Sequence, residues 1–398
     1  MFYCGIDIAK NTHYASVINE VGKKIGASVS FSNTKIGCEK VIALFEKHGI
    51  TTENLIIGME ATGHYWLSVY TFFAGNGYDT KVINPIQSDI MRRMSIQPIK
   101  NDAKDSIVVA EVMRFGKYSA SEIVDEKYVA LRQLSRYRVS LTGEIGDAKR
   151  RVIALLDQVF PEYAKEFSDV FGVTSQEILL NYSTPEELEK VSVKKLSKLL
   201  EKASRGRFGE EKARSLKSLA KSTFGISIAN KAFSFEIKLL MQTIEFLTNQ
   251  LSELEKEIAD LLGETDTFIT SIVGIGTVLG AAILGEIGDI NRFSEAENLV
   301  AYAGLKCRHS DSGEFKSSQN HMTKRGSPYL RRAIWLAATV AANHDPTLAS
   351  YYQSLKSRGK HHLVAINAVA RKMCNIIFVI LKENRPYEKF PPQKVKVA

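Results

Sequence analysis

Phe2-Tyr3-Cys4-Gly5-Ile6-Asp7-Ile8 is an apolar run with one acid set inside it. Its residue types suit a strand, and a carboxylate inside a core strand is costly unless it is paired or binds a metal. Reading outward, strands are expected over 2–8, 13–19 and 24–31, with turns at 9–12 and 20–22. A helix is expected over 35–48. Asn54-Leu55-Ile56-Ile57-Gly58-Met59-Glu60 is a second apolar run, this time ending in an acid, as a buried central strand would. Residues 64–75 read as helix, 80–84 as strand and 102–114 as helix. Three strands followed by strand–helix alternation predict a mixed sheet covered by helices.

Beyond residue 125 the pattern turns helical. Leu131, Leu134, Leu141, Ile145, Val152 and Leu155 keep a 3/4 spacing, interrupted at the same phase by Arg138 and Ala148. A cleaner heptad runs Phe233, Ile237, Leu240, Ile244, Leu247, Leu251, Leu254, Ile258, Leu261. Unbroken heptads with charged flanks predict a coiled coil, its partner being either the first long helix or another subunit. Between the two lies a small helical insert at 160–225. Within it Ser183-Thr184-Pro185 is a helix-start signal and Arg205-Gly206-Arg207 a basic turn. The final region opens on Val273-Gly274-Ile275-Gly276 before an apolar helix. Such a turn presents backbone N–H groups to a phosphate, or else simply lets two helices pack closely.

The chain has 398 residues, long enough for two or three domains. With 44% hydrophobic and 24% charged residues it is neither a disordered chain, a collagen-like fibre nor a multi-span membrane protein. The formal charge of +9 is unevenly spread. Residues 301–398 hold 17 Lys/Arg against 5 Asp/Glu, whereas residues 1–300 hold 36 against 39. A basic quarter on a near-neutral body suits a polyanion, nucleic acid above all, although solubility alone can also account for it. Cys4, Cys38, Cys307 and Cys374 are far apart and form no CxxC pair, which argues against a disulfide framework or zinc site. The N-terminus carries no basic and apolar leader pattern. Residues 268–285 are free of charge, but Gly274, Gly276, Gly280 and Gly285 make them a buried helix and turn rather than a span. A cytoplasmic location, not associated with a membrane, is the expectation.

Four acids stand out. Asp7 lies in the first core strand, Glu60 ends the second, and Asp102 and Asp105 share a helix face at a spacing of three. Neighbouring parallel strands would bring Asp7 beside Glu60, with the helix pair facing them. Converging carboxylates suit Mg²⁺, and two such ions serve phosphoryl transfer. Three of them also have a plainer reading, Asp102 as a helix N-cap, Asp105 as a first-turn acid and Glu60 as a strand-end charge in water, whereas Asp7 is the hardest to dismiss.

The order Asp7, Glu60, Asp102, Asp105 resembles the DEDD set of RuvC-like nucleases, which have a ribonuclease-H-type fold. Gly58-Met59-Glu60-Ala61-Thr62-Gly63, Asn84-Pro85 and Asn101-Asp102-Ala103-Lys104-Asp105 resemble the N-terminal domain of insertion sequence 110 family transposases. Val273-Gly274-Ile275-Gly276, Arg292-Phe293, Tyr302-Ala303-Gly304-Leu305, Ser312-Gly313, Thr323-Lys324-Arg325-Gly326 and Leu330-Arg331-Arg332 resemble their C-terminal domain. One departure is Asn101, where the family often has Thr.

The resemblance implies three parts. These are a RuvC-like α/β domain over 1–125, an all-α linker and coiled coil over 126–265, and a C-terminal transposase domain over 266–398 with a helix-hairpin-helix-like start. It implies a DNA recombinase of a mobile element, working as a homodimer or homotetramer on element ends and target DNA. A structured non-coding RNA would pair with both DNAs. Metal ligands would be Asp7, Glu60, Asp102 and Asp105, holding Mg²⁺ or else Mn²⁺. Ser312 would be the nucleophile, reaching the acids of another subunit and forming a phosphoserine–DNA intermediate. Arg308, Lys324, Arg325, Arg331, Arg332 and the Gly274/Gly276 turn would hold nucleic acid. The alternative is a junction-resolvase-like endonuclease that hydrolyses with water. An actin-like sugar kinase and a non-enzymatic coiled-coil DNA binder fit less of the pattern.

Overall fold

A computed structural model describes residues 1–61, 63–83, 85–93, 101–116, 120–121, 125–306, 311–312, 315–316 and 322–389. The chain falls into two compact units, Met1–Ile123 and Val124–Ala398.

In the first unit, β1 (Phe2–Asp7), β2 (Thr12–Asn19) and β3 (Lys24–Ser32) form an antiparallel meander. Helix α1 (Lys35–Lys47) then carries the chain back across the sheet to β4 (Leu55–Glu60). After α2 (Trp66–Gly75) and β5 (Asp79–Ile83) come α3 (Pro85–Arg93), α4 (Asp102–Phe115) and the short β6 (Ala120–Ser121). The sheet order is β3-β2-β1-β4-β5-β6, with β1, β4 and β5 parallel. This is the expected mixed sheet. Helix α3 is an element the sequence reading passed over, although Pro85 at its first position is a start signal.

Strand periodicity divides the core. Cys4, Ile6, Ile57 and Met59 point to one face and pack with Val41 and Phe45 of α1 and Val69 and Phe73 of α2. Alternate positions point to α4: Tyr3 and Ile56 pack with Val109, Val112 and Met113. Gly5 lies on this second face for a steric reason. A Cβ there would sit 2.0 Å from the Ser106 carbonyl oxygen and 2.3 Å from the Ala110 nitrogen. The missing side chain lets α4 rest directly on β1.

Among its described residues, the second unit is helical apart from one short hairpin. Helix α5 (Glu126–Val159) leads into α6 (Val173–Asn181), α7 (Pro185–Lys190), α8 (Val193–Ser204) and α9 (Glu210–Lys221), and α10 (Asn230–Gly263) returns. The two long helices are antiparallel partners within the chain. Arg138 Nε donates to Glu255 Oε1 at 2.7 Å, and Lys127 Nζ to the Glu264 carbonyl at 3.1 Å. Thus the heptad finds its partner in the first helix. The seam is fully buried only towards its ends, at Ile237, Ile244 and Ile258, whereas Leu247, Leu251 and Leu254 are half-buried. Each end enters a separate core. One is the helical insert, built on Val152, Leu156, Tyr163, Leu196, Leu216 and Met241.

The other core joins α11 (Thr277–Ile287), α12 (Ala296–Tyr302), α13 (Pro328–His344), α14 (Pro346–Ser357) and α15 (His362–Glu383). Small residues, Ala337, Ala338 and Ala341, let α13 approach Val369, Ala370 and Met373 of α15 closely. Helix α15 alone among the described residues is long and apolar enough to cross a membrane, and half of that stretch is buried here. The charge-free stretch at 268–285 becomes a 3₁₀ turn, Ile269–Ser271, and most of α11, as the sequence predicts.

Candidate acid site and basic face

Strand β1 ends at Asp7, so this acid closes the strand rather than lying inside it. Beyond it the chain turns, and the Ala9 N–H donates to Nδ1 of the buried His13 at 3.2 Å. Parallel pairing runs to Ile6 opposite Met59, which leaves Asp7 and Glu60 as the next residues of the two strands. Both fall on the α4 face by alternation, since Gly5 and Gly58 approach that helix. The chain leaves β1 towards β2 on one side and returns to β4 on the other. Carboxyl ends of adjacent parallel strands at such a reversal are where open α/β sheets hold ligands.

Helix α4 brings the other two acids. Its N-cap is Asn101, whose side chain accepts from the Ala103 N–H at 3.0 Å. Asp102 is therefore not the cap. It is the first helical residue and is exposed, while Asp105 is 7% exposed. The departure from Thr at 101 is thereby explained, because Asn and Thr both serve as N-caps. Two serines pin the helix to the sheet, with Ser16 Oγ and Ser106 Oγ 2.7 Å apart and buried.

The four acids feel one another. Burial, and then the negative charges of Asp105, Asp102 and Glu60, push the Asp7 carboxyl up to about 6, with Arg92 opposing. Arg92, on α3, was not singled out by sequence. Its Nη2 donates to Glu60 Oε1 at 2.7 Å and its Nε to Asp105 Oδ1 at 2.9 Å. Glu60 and Asp105 are 6% and 7% exposed, so the acid ends of these contacts lie largely out of water. The donor set fits a hard cation: carboxylate oxygens only, negative neighbours that add to burial in raising the Asp7 carboxyl, and a guanidinium already drawn between two of the acids. Among the described residues, however, no three acids are gathered into a preformed metal cage.

The basic quarter is organised around α13. Three of its motifs meet there through the backbone. The Lys324 N–H donates to the Gly304 carbonyl at 3.2 Å, and the Ser327 N–H to the Tyr302 carbonyl at 2.9 Å. Arg331 Nη1 donates to the carbonyls of Ala303 and Lys324, so this guanidinium fastens the turn. Lys324, Arg325 and Arg332 are exposed. Beneath them Glu286, 1% exposed, receives both Arg136 Nε at 2.6 Å and Ser327 Oγ at 2.7 Å. Gly274 has a packing role: at φ +90, a Cβ there would lie 2.4 Å from the Ala337 carbonyl oxygen. Gly276 caps α11 with open space around it.

Ser312 belongs to the two-residue strand β7 (Asp311–Ser312), paired antiparallel with β8 (Phe315–Lys316) so that it faces Phe315. Its side chain, like Cys307, Arg308 and Gly313, lies outside the described residues.

Similarity to known proteins runs the length of the chain. Residues 4–161 match the DEDD-type family model described as "Transposase", and residues 266–353 match "Transposase IS116/IS110/IS902 family". An insertion element IS110 protein of 43.6 kDa from Streptomyces coelicolor is 24% identical over 100% of this chain and 98% of its own length. The pilin gene-inverting protein of Moraxella bovis is 24% identical over 97% and 98%. A mini-circle putative transposase for IS117, also from Streptomyces coelicolor, is 24% identical over 91% and 89%. With two family models in the order of its own two acid and basic regions, the chain belongs to the IS110 family of transposases.

Proposed function

We propose that this chain cuts and rejoins DNA at the ends of an insertion element, using Asp7, Glu60, Asp102 and Asp105 to hold divalent metal and Ser312 as nucleophile. The observation that carries the reading is the pairing register. It sets Asp7 beside Glu60 at the carboxyl edge of the sheet, under the helix that bears Asp102 and Asp105. Mg²⁺ held there would activate a hydroxyl and stabilise a leaving oxygen on phosphorus. The Ser312 oxygen forms a bond to the DNA phosphorus, and the P–O bond to one deoxyribose oxygen breaks. That deoxyribose oxygen leaves with a proton, and a phosphoserine link remains. Attack by another strand's hydroxyl reverses the step and frees the serine.

Lys324, Arg325 and Arg332 are exposed cations beside the Ser312 strand in sequence and suit phosphate contacts. Arg331 supports them from below through its two carbonyl bonds. The Gly274–Gly276 turn and Arg308 complete the nucleic-acid surface in this reading. A structured non-coding RNA as guide, and a dimer or tetramer as the working unit, are carried by the family resemblance. So is a cytoplasmic, nucleoid-bound setting.

The test is a plasmid carrying the element ends, incubated with full-length protein, Mg²⁺ and RNA transcribed from the flanking non-coding DNA. Wild type is expected to give a protein–DNA adduct that survives denaturant and disappears with protease. Ser312→Ala should give no adduct, and Asp7→Asn or Glu60→Gln no strand cleavage. Recombination at wild-type level by Ser312→Ala would remove the serine mechanism and favour hydrolysis by water.

A further inference from the structure

We propose that Arg92 is an exchangeable counter-ion: its guanidinium occupies carboxylate oxygens that a divalent cation needs, and cation binding displaces it. The inference rests on the reading of the four acids as cation ligands given above. Arg92 does not make an ordinary surface ion pair. One nitrogen is committed to Asp105 Oδ1 at 2.9 Å and another to Glu60 Oε1 at 2.7 Å, joining a strand end to a helix. Both acids are nearly buried, at 6% and 7% exposure, so leaving them without a cation is costly. Among the described residues, the Arg92 guanidinium fork meets that need.

The same contacts obstruct a metal. A hard ion binding at roughly 2.0–2.1 Å through Glu60 Oε1 and Asp105 Oδ1 meets the guanidinium at those same two oxygens. Metal and guanidinium cannot hold Glu60 Oε1 and Asp105 Oδ1 together without a close approach of two cations. The Arg92 side chain is 31% exposed, which leaves it a way out to solvent. Once released, it becomes a free cation at the edge of the acid cluster, placed to meet a nucleic-acid phosphate. The acids would thus be kept assembled by an internal cation, and metal affinity would be set by competition with it.

Mn²⁺ binding to the full-length chain at pH 7, read by the electron paramagnetic resonance of free Mn²⁺, tests the exchange without any dependence on activity. Arg92→Ala is expected to lower the Kd for Mn²⁺ at least tenfold, while lowering the melting temperature in chelator. Arg92→Lys keeps the charge but not the fork, and should fall between the two. Should Arg92→Ala not fold, the lysine variant carries the test. An unchanged or raised Kd in these variants overturns the exchange alone. Absence of Mn²⁺ binding by wild type, or binding that survives Asp7→Asn undiminished, overturns the ligand reading and the exchange with it.

Discussion

Asp7 stands between two demands. The fold half-buries it within electrostatic reach of three acids, and its carboxyl is pushed up to about 6 as a result. An ordinary aspartate titrates at about 3.9. The folded chain therefore holds this proton more tightly than the unfolded chain. Stability from the protonated form is present below about pH 4 and is lost as pH rises through about 6. In chelator, Asp7→Asn should then melt higher than wild type at pH 7.5 and equally at pH 3.5, with cleavage lost throughout. Because Asp7 is partly solvated, the gain is discounted to about 1 kcal/mol. Equal melting temperatures at pH 7.5 would contradict the shared field. Glu286 presents the opposite case, an acid fully matched by its partners. Removing its cation with Arg136→Ala leaves a buried carboxylate short of charge. A loss of about 3 kcal/mol is expected in denaturant melts, and Arg136→Lys should recover part of it.

At the scale of elements, the acid site depends on how α4 lies on β1. Gly5 permits that contact, and Ser16 with Ser106 fixes its position. Gly5→Ala puts a methyl into the Ser106 carbonyl and must lift the helix. It should destabilise the first unit by about 2 kcal/mol and abolish cleavage, although no ligand is altered. A denaturation midpoint unchanged by Gly5→Ala would show that the helix has room the geometry denies. Periodicity announced α4 and the two long helices, because their apolar faces repeat every turn. It did not announce α3 as an element or Arg92 as a member of the site. A single arginine at the end of a nine-residue helix has no pattern of its own. Its role comes from two acids brought to it by distant strands and helices.

For the whole molecule, charge is the legible property. Residues 301–398 carry a net +12, and the described part of that stretch exposes Lys324, Arg325 and Arg332. Log affinity for duplex DNA should fall linearly with log salt, and Lys324→Ala/Arg325→Ala should reduce the slope by about 2. A slope identical to wild type would remove both residues from the phosphate surface. Arg331→Ala should differ in kind. Its guanidinium ties the turn to Ala303, so melting temperature should fall together with affinity.

By itself the sequence determined the strand-then-alternation order, the two long helices, the basic quarter and the four acids worth watching. Those are properties of local period and composition, which survive reading one residue at a time. Only the tertiary structure decided that Asp7 ends its strand next to Glu60, that Asn101 and not Asp102 caps α4, and that the heptad helix pairs within its own chain. It alone introduced Arg92. Register, capping geometry and ion pairing depend on which distant segments share a core, and packing settles that where spacing along the chain does not.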